Sequence, residues 1–429
     1  MKPLIIQHGR VIDPANKTDE VRDIVIVDGK IADGTLTEHA GTKPEHADVL
    51  DATDKIVVPG LIDMHVHLRE PGRADKESIT SGTLCAARGG FTSIVCMPNT
   101  SPAADNAGTI AFIKQRAEAT ASVNVFPAGA ITKELKGEEL APIGSLKRAG
   151  VVAITDDGRC VQNNELMRRA VEYAKMFKLP LLDHCQDYNL AADGVMNDGY
   201  WSVSLGLRGW SAAAEDIIVA RNILIAEMAD WWIHCQHLSS ARSVALVRAA
   251  KKRGVKISAE ACPHHFTLTE ESCKTYDTNF KMNPPLRTEA DRQALLEGLA
   301  DGTIDCIASD HAPHCNYEKE VEFDVAPFGI IGLETELALS LALVHKKVLT
   351  MTQLIEKFTA NPARLLRLGK GTLNVGADAD VTVIDPTREW TYDVTQSASK
   401  SRNSPFHGWQ LKGKAVATIV GGKIVWKEN

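Results

Sequence analysis

The chain has 429 residues, of which 44% are hydrophobic and 5% aromatic, enough for one large domain or two medium ones. Its net charge of −7 is spread over interspersed acidic and basic residues, so we expect no nucleic-acid partner. Nine scattered cysteines without a CxxC pair indicate reduced thiols, and no apolar run suits a signal peptide or a membrane helix. We therefore expect a cytoplasmic protein with no membrane partner.

The first residues predict short strands joined by turns, in PLIIQHGRVIDP, DIVIVDGKIADG and ADVLDATDKIV. Eight apolar runs then alternate with stretches of helical spacing. They are KIVVPGLIDMHVHL, FTSIVCMPN, VNVFPAGAI, VVAITDD, LPLLDHCQD, WWIHCQHLS, VKISAEACPHH and IDCIASDHAPH. Continuous apolar runs are typical of parallel strands buried on both faces. This alternation predicts an α/β fold, a (β/α)8 TIM-type barrel spanning residues 55–370.

The last residues show the same pattern of short strands joined by turns as the first, in GADADVTVIDP and KAVATIVGGKIVWKEN. A barrel needs none of these terminal strands. We therefore predict a small β-sandwich-like domain built from both ends of the chain, residues 1–54 and 371–429.

Most of the eight apolar runs end in a polar residue. Because the carboxyl ends of barrel strands meet on one face, these side chains are expected to line the same opening of the barrel. They are His65, His67, Asn99, Asp157, His184, His237 and Asp310.

Several of these residue types are metal ligands. His65 and His67 lie two apart on one strand and therefore face the same side. Asp156 is one position off and is expected to face away from the site, whereas His234 competes with His237 as a ligand. Four histidines and two aspartates exceed the needs of one zinc ion but suit two metals that share a carboxylate. The competing interpretation, polar residues satisfied within the core, is disfavoured by the cost of unpaired buried charges.

Several blocks together resemble the dihydroorotase family of the amidohydrolase superfamily. They are DMHVHLREPG, MPNT, TDDG, KMNPPLR, ASDHAPHCNYEK and APFGIIGLETELAL, and the resemblance covers the chain from about Ile5 to Trp426. The fourth run ends in AITDDG without a lysine, so the chain resembles the class in which an aspartate, not a carboxylated lysine, bridges the metals.

The resemblance implies roles for individual residues. One zinc would be held by His65, His67, Asp157 and Asp310, and a second by Asp157, His184 and His237, with Asp157 bridging. Asp310 would also be the general base. The implied substrate contacts are His67, Arg69, Asn99, Asn283, His314, Phe328 and Gly329. Arg69, with Asn99 and His314, would bind a substrate carboxylate, while Asn283 and the backbone at Phe328–Gly329 would contact the ureide of the ring.

The implied activity is reversible hydrolysis of L-dihydroorotate to N-carbamoyl-L-aspartate in pyrimidine biosynthesis, and the implied assembly is a homodimer. Two other interpretations stay open. One is another cyclic-amide hydrolase, such as an allantoinase or hydantoinase, from which Arg69 distinguishes the chain. The other is a catalytically silent scaffold, which the complete ligand set disfavours. For His234, His264 and His265, core packing is as good an interpretation as a role in the site.

Overall fold

The computed structural model describes residues 2–33 and 47–428, so residues 34–46 of the predicted N-terminal part lie outside the described residues. An eight-stranded parallel sheet follows the chain order around a barrel. Its strands are Leu61–Val66, Phe91–Cys96, Asn124–Gly129, Ala153–Ile154, Leu181–Asp183, Ile233–Cys235, Ile257–Ala261 and Cys306–Ile307. A parallel bridge between Val66 and His311 brings the last strand's exit to the first strand. The predicted barrel is confirmed.

Helices alternate with the strands. The longer ones are Ile79–Gly89, Ala107–Thr120, Ile143–Ala149, Asn164–Met176, Ala213–Ala229, Ala241–Lys252, Glu289–Ala300, Glu336–His345, Met351–Phe358 and Ala360–Leu366. The first is typical: Ser78 caps its N-terminus in a capping box with Ser81, and Gly90 ends it at a φ of 94°. None of the helices in the described ranges is both long enough and apolar enough to span a bilayer.

Shorter helices lie mostly in loops. The α-helical ones are Tyr188–Ala191, Tyr200–Leu205, Pro263–Thr267 and Asn316–Lys319, and the 3-10 helices are Pro14–Asn16, Lys133–Leu135, Glu270–Thr275, Thr278–Phe280 and Val394–Gln396. A two-stranded ribbon pairs Met196–Asn197 with Gly209–Trp210.

The two ends of the chain build a separate pair of sheets. The first sheet has the order Lys30–Ala32, Ile24–Val27, Leu4–Gln7 and Asp48–Asp51, and the second has the order Lys423–Lys427, Gln410–Val420, Val381–Thr391, Ile56–Pro59, Arg10–Asp13 and Thr18–Val21. Residues from both sheets share one apolar core, among them Leu4, Ile26, Val57, Val381 and Ile419. The predicted β-domain from both termini is confirmed, while its boundaries at 54/55 and 370/371 stay predictions.

The apolar run that precedes the first histidines is two strands rather than one. Ile56–Pro59 pairs with the terminal sheet, and Leu61–Val66 begins the barrel. Gly60 stands between them and donates its N–H to the Asp380 carbonyl oxygen at 2.8 Å. A Cβ on Gly60 would lie 2.0 Å from Thr92 Oγ1, so the barrel and the β-domain approach each other too closely there for a side chain.

A segment near the C-terminus returns across the barrel. Residues 397–406, here called the crossing segment, lie between the strands Val381–Thr391 and Gln410–Val420. Ser401 Oγ donates to the Lys76 carbonyl oxygen at 2.8 Å, and Ser399 Oγ donates to Glu77 at 2.5 Å. Phe406 packs with Ile330 and Leu286 in an apolar cluster of its own. The C-terminal part of the chain therefore reaches the loops that follow the first and last barrel strands.

Candidate active site

A cavity of about 300 Å³ opens where the carboxyl ends of the barrel strands meet. Nearly all of the site residues expected from the sequence line it. The lining residues are His67, Arg69, Asn99, Asp157, Gly158, His184, His237, Asn283, Asp310, Ala312, His314, Pro327, Phe328 and Gly329. His65 does not line the cavity because it is fully buried beneath it.

Four of the predicted metal ligands form one group. His65 Nε2 lies 3.1 Å from Asp157 Oδ1 and 3.4 Å from Asp310 Oδ1. His67 Nε2 lies 3.3 Å from Asp157 Oδ2 and 2.9 Å from Asp310 Oδ1. Two imidazoles from the first strand thus converge on carboxylates that follow the fourth and eighth strands.

The other two histidines also lie near Asp157. His184 Nδ1 and His237 Nε2 are 2.8 Å apart, and they lie 3.8 and 3.9 Å from Asp157 Oδ1. All six predicted ligands therefore meet in the structure. Asp157 belongs to two of the close groups that they form, and His65, His237 and Asp310 form a third. A carboxylate shared by two metals has to belong to both ligand groups, as Asp157 does.

Hydrogen bonds hold the outer nitrogens of three histidines. His65 Nδ1 donates to Glu260 Oε1 at 2.6 Å and His67 Nδ1 donates to Asn99 Oδ1 at 2.9 Å. His184 Nε2 donates to Gln186 Oε1 at 2.8 Å. In this arrangement the inner nitrogen of each ring carries a lone pair and faces the carboxylates, which is the tautomer that a metal ligand needs.

Unpartnered atoms at the centre show that the cluster suits a cation. His65 Nε2 and both carboxylate oxygens of Asp157 are buried without a hydrogen-bond partner. His65 Nε2 lies 3.1 Å from Asp157 Oδ1, but the angles at these atoms are not those of a hydrogen bond. Unsatisfied buried acceptors that face one another are costly unless a positive ion lies between them. The donor set of imidazole nitrogens and carboxylate oxygens fits zinc or a similar divalent metal.

The groups of the cluster shift one another's pKa values strongly. Burial would lower the pKa of His65, but the charges of Asp157, Asp310 and Glu260 raise it well above its usual range, so the carboxylates attract a positive charge to this position. Burial alone would raise the pKa of Asp157, but His65 and its other histidine neighbours lower that pKa well below its usual range. Burial, together with His184 and His65, lowers the pKa of His237 well below its usual range. Asp157 is therefore ionised and His237 neutral, the two states in which these groups bind metals.

The backbone is strained at three site residues. Arg69, His237 and Asp310 have φ values of 57°, 31° and 47°, in the left-handed region that residues with side chains rarely adopt. Such conformations cost about 1–3 kcal/mol each and persist where the surroundings impose them. At these three positions the chain leaves a strand end and turns its side chain toward the cavity.

The expected carboxylate-binding residues lie beside the predicted metal ligands. Arg69 is partly buried, and its Nε donates to the Pro313 carbonyl oxygen at 3.3 Å. Burial lowers the pKa of Arg69 to about 10, while the charges of Asp310 and Asp157 oppose that shift. The guanidinium therefore stays cationic at neutral pH, at the cavity wall that His314 shares.

His314 is held as a neutral ring. Lys76 Nζ donates to His314 Nδ1 at 3.2 Å, and His314 Nε2 donates to the Phe328 carbonyl oxygen at 2.9 Å. Burial, followed by the nearby cations Arg69 and Lys76, lowers the pKa of His314 to about 2. Its one N–H is thus engaged by the Phe328 carbonyl oxygen, while the ring lines the cavity.

The expected ureide contacts also line the cavity, and all but one of the polar groups described here already have partners. Asn283 Nδ2 donates to Gln186 Oε1 at 3.3 Å, whereas Asn283 Oδ1 is buried without a partner. The Gly329 N–H donates to the Lys281 carbonyl oxygen at 2.9 Å. Of these groups, Asn283 Oδ1 is the one placed to accept a hydrogen bond from a ligand.

Four neighbouring residues lie outside the cluster of predicted metal ligands. As expected, Asp156 faces away from it and accepts hydrogen bonds from Ile131 N and Thr132 N. His234 lies between Ser258 Oγ at 2.9 Å and Glu260 Oε2 at 3.1 Å, so His237 is the histidine of its strand that reaches the cluster.

His264 and His265 are buried, and with Cys262 they form a separate close group. His265 Nε2 donates to the Pro284 carbonyl oxygen at 2.9 Å.

Glu260 is the site residue that sequence analysis missed. Its carboxylate is fully buried and contacts both His65 and His234, and its Oε1 also accepts the His237 N–H at 3.3 Å. The seventh strand, ISAEA, carries this one acidic residue among apolar and small ones. An isolated charge in a strand buried on both faces was the available signal.

Comparison with known proteins agrees with the geometry. A family profile described as Dihydro-orotase-like matches residues 54–243, and one described as Amidohydrolase family matches residues 336–426. The chain is 55% identical over 428 residues to a protein named Dihydroorotase from Pelotomaculum thermopropionicum, with 99% of each chain covered. It is 53% identical to a Dihydroorotase from Solibacter usitatus, with 100% of this chain and 99% of that protein covered.

Solved structures agree on the fold. The L-hydantoinase (dihydropyrimidinase) of Arthrobacter aurescens has a TM-score of 0.88 at 25% identity, covering 100% of this chain and 97% of that one. The dihydropyrimidinase of Brevibacillus agri NCHU1002 has a TM-score of 0.85 at 23% identity, covering 99% and 95%, which supports the fold alone. The identity and coverage of the dihydroorotase relatives are decisive: the chain belongs to the dihydroorotase family.

Proposed function

We propose that the cavity catalyses the reversible hydrolysis of L-dihydroorotate to N-carbamoyl-L-aspartate, a step of pyrimidine biosynthesis. Family membership makes the chain a cyclic amide hydrolase. The observation that supports this substrate is the position of Arg69, a partly buried cation in the same cavity as the predicted metal ligands. A substrate that carries both a ring amide and a carboxylate matches this pair of features.

We propose two zinc ions as the cofactor. His65, His67, Asp157 and Asp310 would hold one of them, and Asp157, His184 and His237 would hold the other. When bound, such a pair supplies Lewis acidity for the amide carbonyl and lowers the pKa of water. The unpartnered atoms of His65 and Asp157 support this assignment.

We propose that the wall of the cavity orients the ring. Arg69 would bind the substrate carboxylate, assisted by Asn99 and by His314, whose Nε2–H would turn from the Phe328 carbonyl oxygen to the carboxylate. Asn283 and the backbone of Phe328–Gly329 would contact the ureide, with Asn283 Oδ1 accepting from a ring N–H. His67 would lie against both the metal and the substrate.

Asp310 is the proposed proton carrier. Its Oδ1 lies 2.9 Å from His67 Nε2, at the floor of the cavity. In hydrolysis, a water oxygen bonds to the ring carbonyl carbon, and Asp310 takes the proton that the water loses. The carbon–nitrogen bond then breaks, and Asp310 delivers that proton to the departing nitrogen. Ring closure uses the same groups in reverse.

A substrate comparison tests this function. The purified, zinc-loaded protein should hydrolyse L-dihydroorotate with a kcat/KM at least about 100-fold above that for hydantoin or allantoin, which lack the carboxylate that Arg69 would bind. Zinc content is measured on the same preparation. Preferential hydrolysis of hydantoin or allantoin would contradict the assignment and favour the other cyclic-amide hydrolases, whereas a metal-loaded protein inactive on all three would favour a silent scaffold.

We also propose a cytoplasmic location and a homodimer. All nine cysteines are unpaired, and eight of them are buried, which suits a reducing compartment. The exposed face of the helix Ala213–Ala229 carries apolar side chains, with Ile217, Leu224 and Met228 each more than half exposed, and these could be covered by a second copy. Light scattering should give twice the monomer mass, and a monomer at micromolar concentration would contradict the dimer.

A further inference from the structure

Asn403 lies on the crossing segment and joins two parts of the cavity wall. One contains Ala312 and His314 and is called the His314 strip, and the other is the Phe328–Gly329 strip. Its side-chain oxygen accepts the His314 N–H at 3.1 Å. Its side-chain nitrogen donates to the Ala312 carbonyl oxygen at 3.0 Å and to the Gly329 carbonyl oxygen at 3.1 Å. Its backbone carbonyl oxygen also accepts the Ile331 N–H at 2.9 Å. One buried side chain thus satisfies backbone groups on both strips.

The two strips face the proposed substrate. Ala312 and His314 belong to the loop after the last barrel strand, whereas Phe328 and Gly329 lie farther along the chain, and all four line the cavity. The strips also contact each other directly, because His314 Nε2 donates to the Phe328 carbonyl oxygen. Their separation therefore decides where the His314 ring and the Phe328–Gly329 backbone meet a ligand.

A second buried side chain converges on the same peptide. Lys319 Nζ donates to the Gly329 carbonyl oxygen at 3.2 Å and to the Pro327 carbonyl oxygen at 2.8 Å. Gly329 has a φ of 110°, in the region that favours glycine, and a Cβ there would lie 2.6 Å from the Ala312 Cβ. The strips are thus packed too closely for an added methyl group, and their carbonyl oxygens depend on fixed donors.

The chemistry of Asn403 suits this position. An amide has one acceptor and two donor hydrogens in a plane, which matches one N–H and two carbonyl oxygens. An aspartate would place a second acceptor against two carbonyl oxygens. An alanine would leave these buried groups without partners, unless the strips moved to allow water in.

We propose that Asn403 is a positioning residue for substrate binding, which sets the spacing between the His314 strip and the Phe328–Gly329 strip. The inference rests on the proposed function. Asn403 forms no hydrogen bond with a predicted metal ligand. Its replacement therefore changes the affinity for substrate rather than metal binding or proton transfer. The C-terminal part of the chain thereby contributes to the barrel's active site.

Variants of Asn403 in the full-length, zinc-loaded protein test this role. In Asn403→Ala, the KM for L-dihydroorotate and the calorimetric Kd for orotate, a non-hydrolysed carboxylated ring, should each rise about tenfold. The kcat should stay within about threefold and the zinc content should not change. Asn403→Ser keeps a hydroxyl at this position and should show a smaller rise.

Asn361→Ala is the matched control. Asn361 is also buried and donates to a backbone carbonyl oxygen, that of Asp305, but Asp305 lies just before the last barrel strand, at the opposite end of the barrel. Its loss should leave both KM and Kd unchanged. If Asn403→Ala does not fold, Asn403→Ser supplies the same comparison.

Unchanged KM and Kd in folded Asn403 variants would overturn the inference, as would an equal rise in Asn361→Ala or a fall in kcat alone. Failure of the proposed function is distinguishable from these results, because wild-type protein would then not hydrolyse L-dihydroorotate. The orotate Kd would still report on Asn403 in that case.

Discussion

Glu260 Oε1 lies 2.6 Å from His65 Nδ1, so a carboxylate on the seventh strand orients a predicted metal ligand on the first. The same carboxyl group contacts His234 and the His237 N–H. Burial would raise the pKa of Glu260, but His65 and His234 lower it to about 2, so the group is ionised. Carboxylates in this position raise the basicity of a ligating imidazole.

Glu260→Gln should therefore weaken metal binding about 10–100-fold, because the neutral amide supports His65 less well. Titration of metal-free protein with zinc in a competing chelator measures this change. Glu336→Gln is the matched control. Glu336 is fully buried, and burial raises its pKa well above the usual range, so the native group is already neutral. Equal zinc affinity in Glu260→Gln and wild type would contradict the orienting role.

Asp310→Asn should retain zinc but lower kcat for L-dihydroorotate by about 10²–10⁴-fold, because an amide cannot accept and return the proton. Steady-state kinetics and metal analysis on one preparation measure both quantities. Asp324→Asn, which removes an exposed acid from the loop before Phe328, is expected to retain full activity. Near-normal turnover in Asp310→Asn would exclude the proposed proton carrier.

Arg69→Met should raise the KM for L-dihydroorotate about 100-fold with unchanged zinc content, because the methionine keeps much of the volume but has no donor for the carboxylate. Arg69→Lys should recover only part of the affinity, since an ammonium lacks the bidentate fork. The orotate Kd should follow the same order. An unchanged KM in Arg69→Met would contradict the carboxylate contact.

Lys319 should make stability depend on pH. Burial, assisted by Lys281, lowers its pKa from 10.5 to about 7. Above pH 7 the native state loses this proton while the unfolded chain keeps it until about 10.5, so this group's contribution to the free energy of unfolding rises with pH across that window. Below pH 7 Lys319 is protonated in both the native and the unfolded state, so the native state bears the full cost of burying its charge.

Paired urea unfolding of wild type and Lys319→Met measures this contribution. The variant loses the hydrogen bonds to Pro327 and Gly329 at every pH, which adds a constant difference. The stability advantage of the wild type should be larger at pH 9.5 than at pH 6.5. A difference independent of pH, or one that shrinks as the pH rises, would contradict the lowered pKa.

Much of the site could be predicted because barrel geometry converts chain order into position. Each strand ends at the same face, so His65, Asp157 and Asp310 could be brought together without any knowledge of their contacts. The alternation of side chains along a strand also placed Asp156 outside the cluster. The barrel itself followed from eight apolar runs that alternate with stretches of helical spacing.

Other features could not be predicted because they depend on contacts between distant segments. Asn403 and His314 are 89 positions apart, and nothing in the residues around Asn403 indicates that its amide lies against the cavity wall. Lys76 likewise contacts His314 only through the folding of the loops. The division of one apolar run at Gly60 depends on Thr92, a residue of the neighbouring strand.

The pairing of the terminal strands has a consequence for the timing of synthesis. Arg10–Asp13 pairs with Ile56–Pro59, whose other neighbour is Val381–Thr391. The strand Ile56–Pro59 therefore leaves the ribosome long before Val381–Thr391 has been synthesised, and one of its edges stays unpaired while the barrel is made. Asn403 follows that partner along the chain. A growing chain would thus carry every predicted metal ligand before Asn403 could join the two strips of the cavity wall.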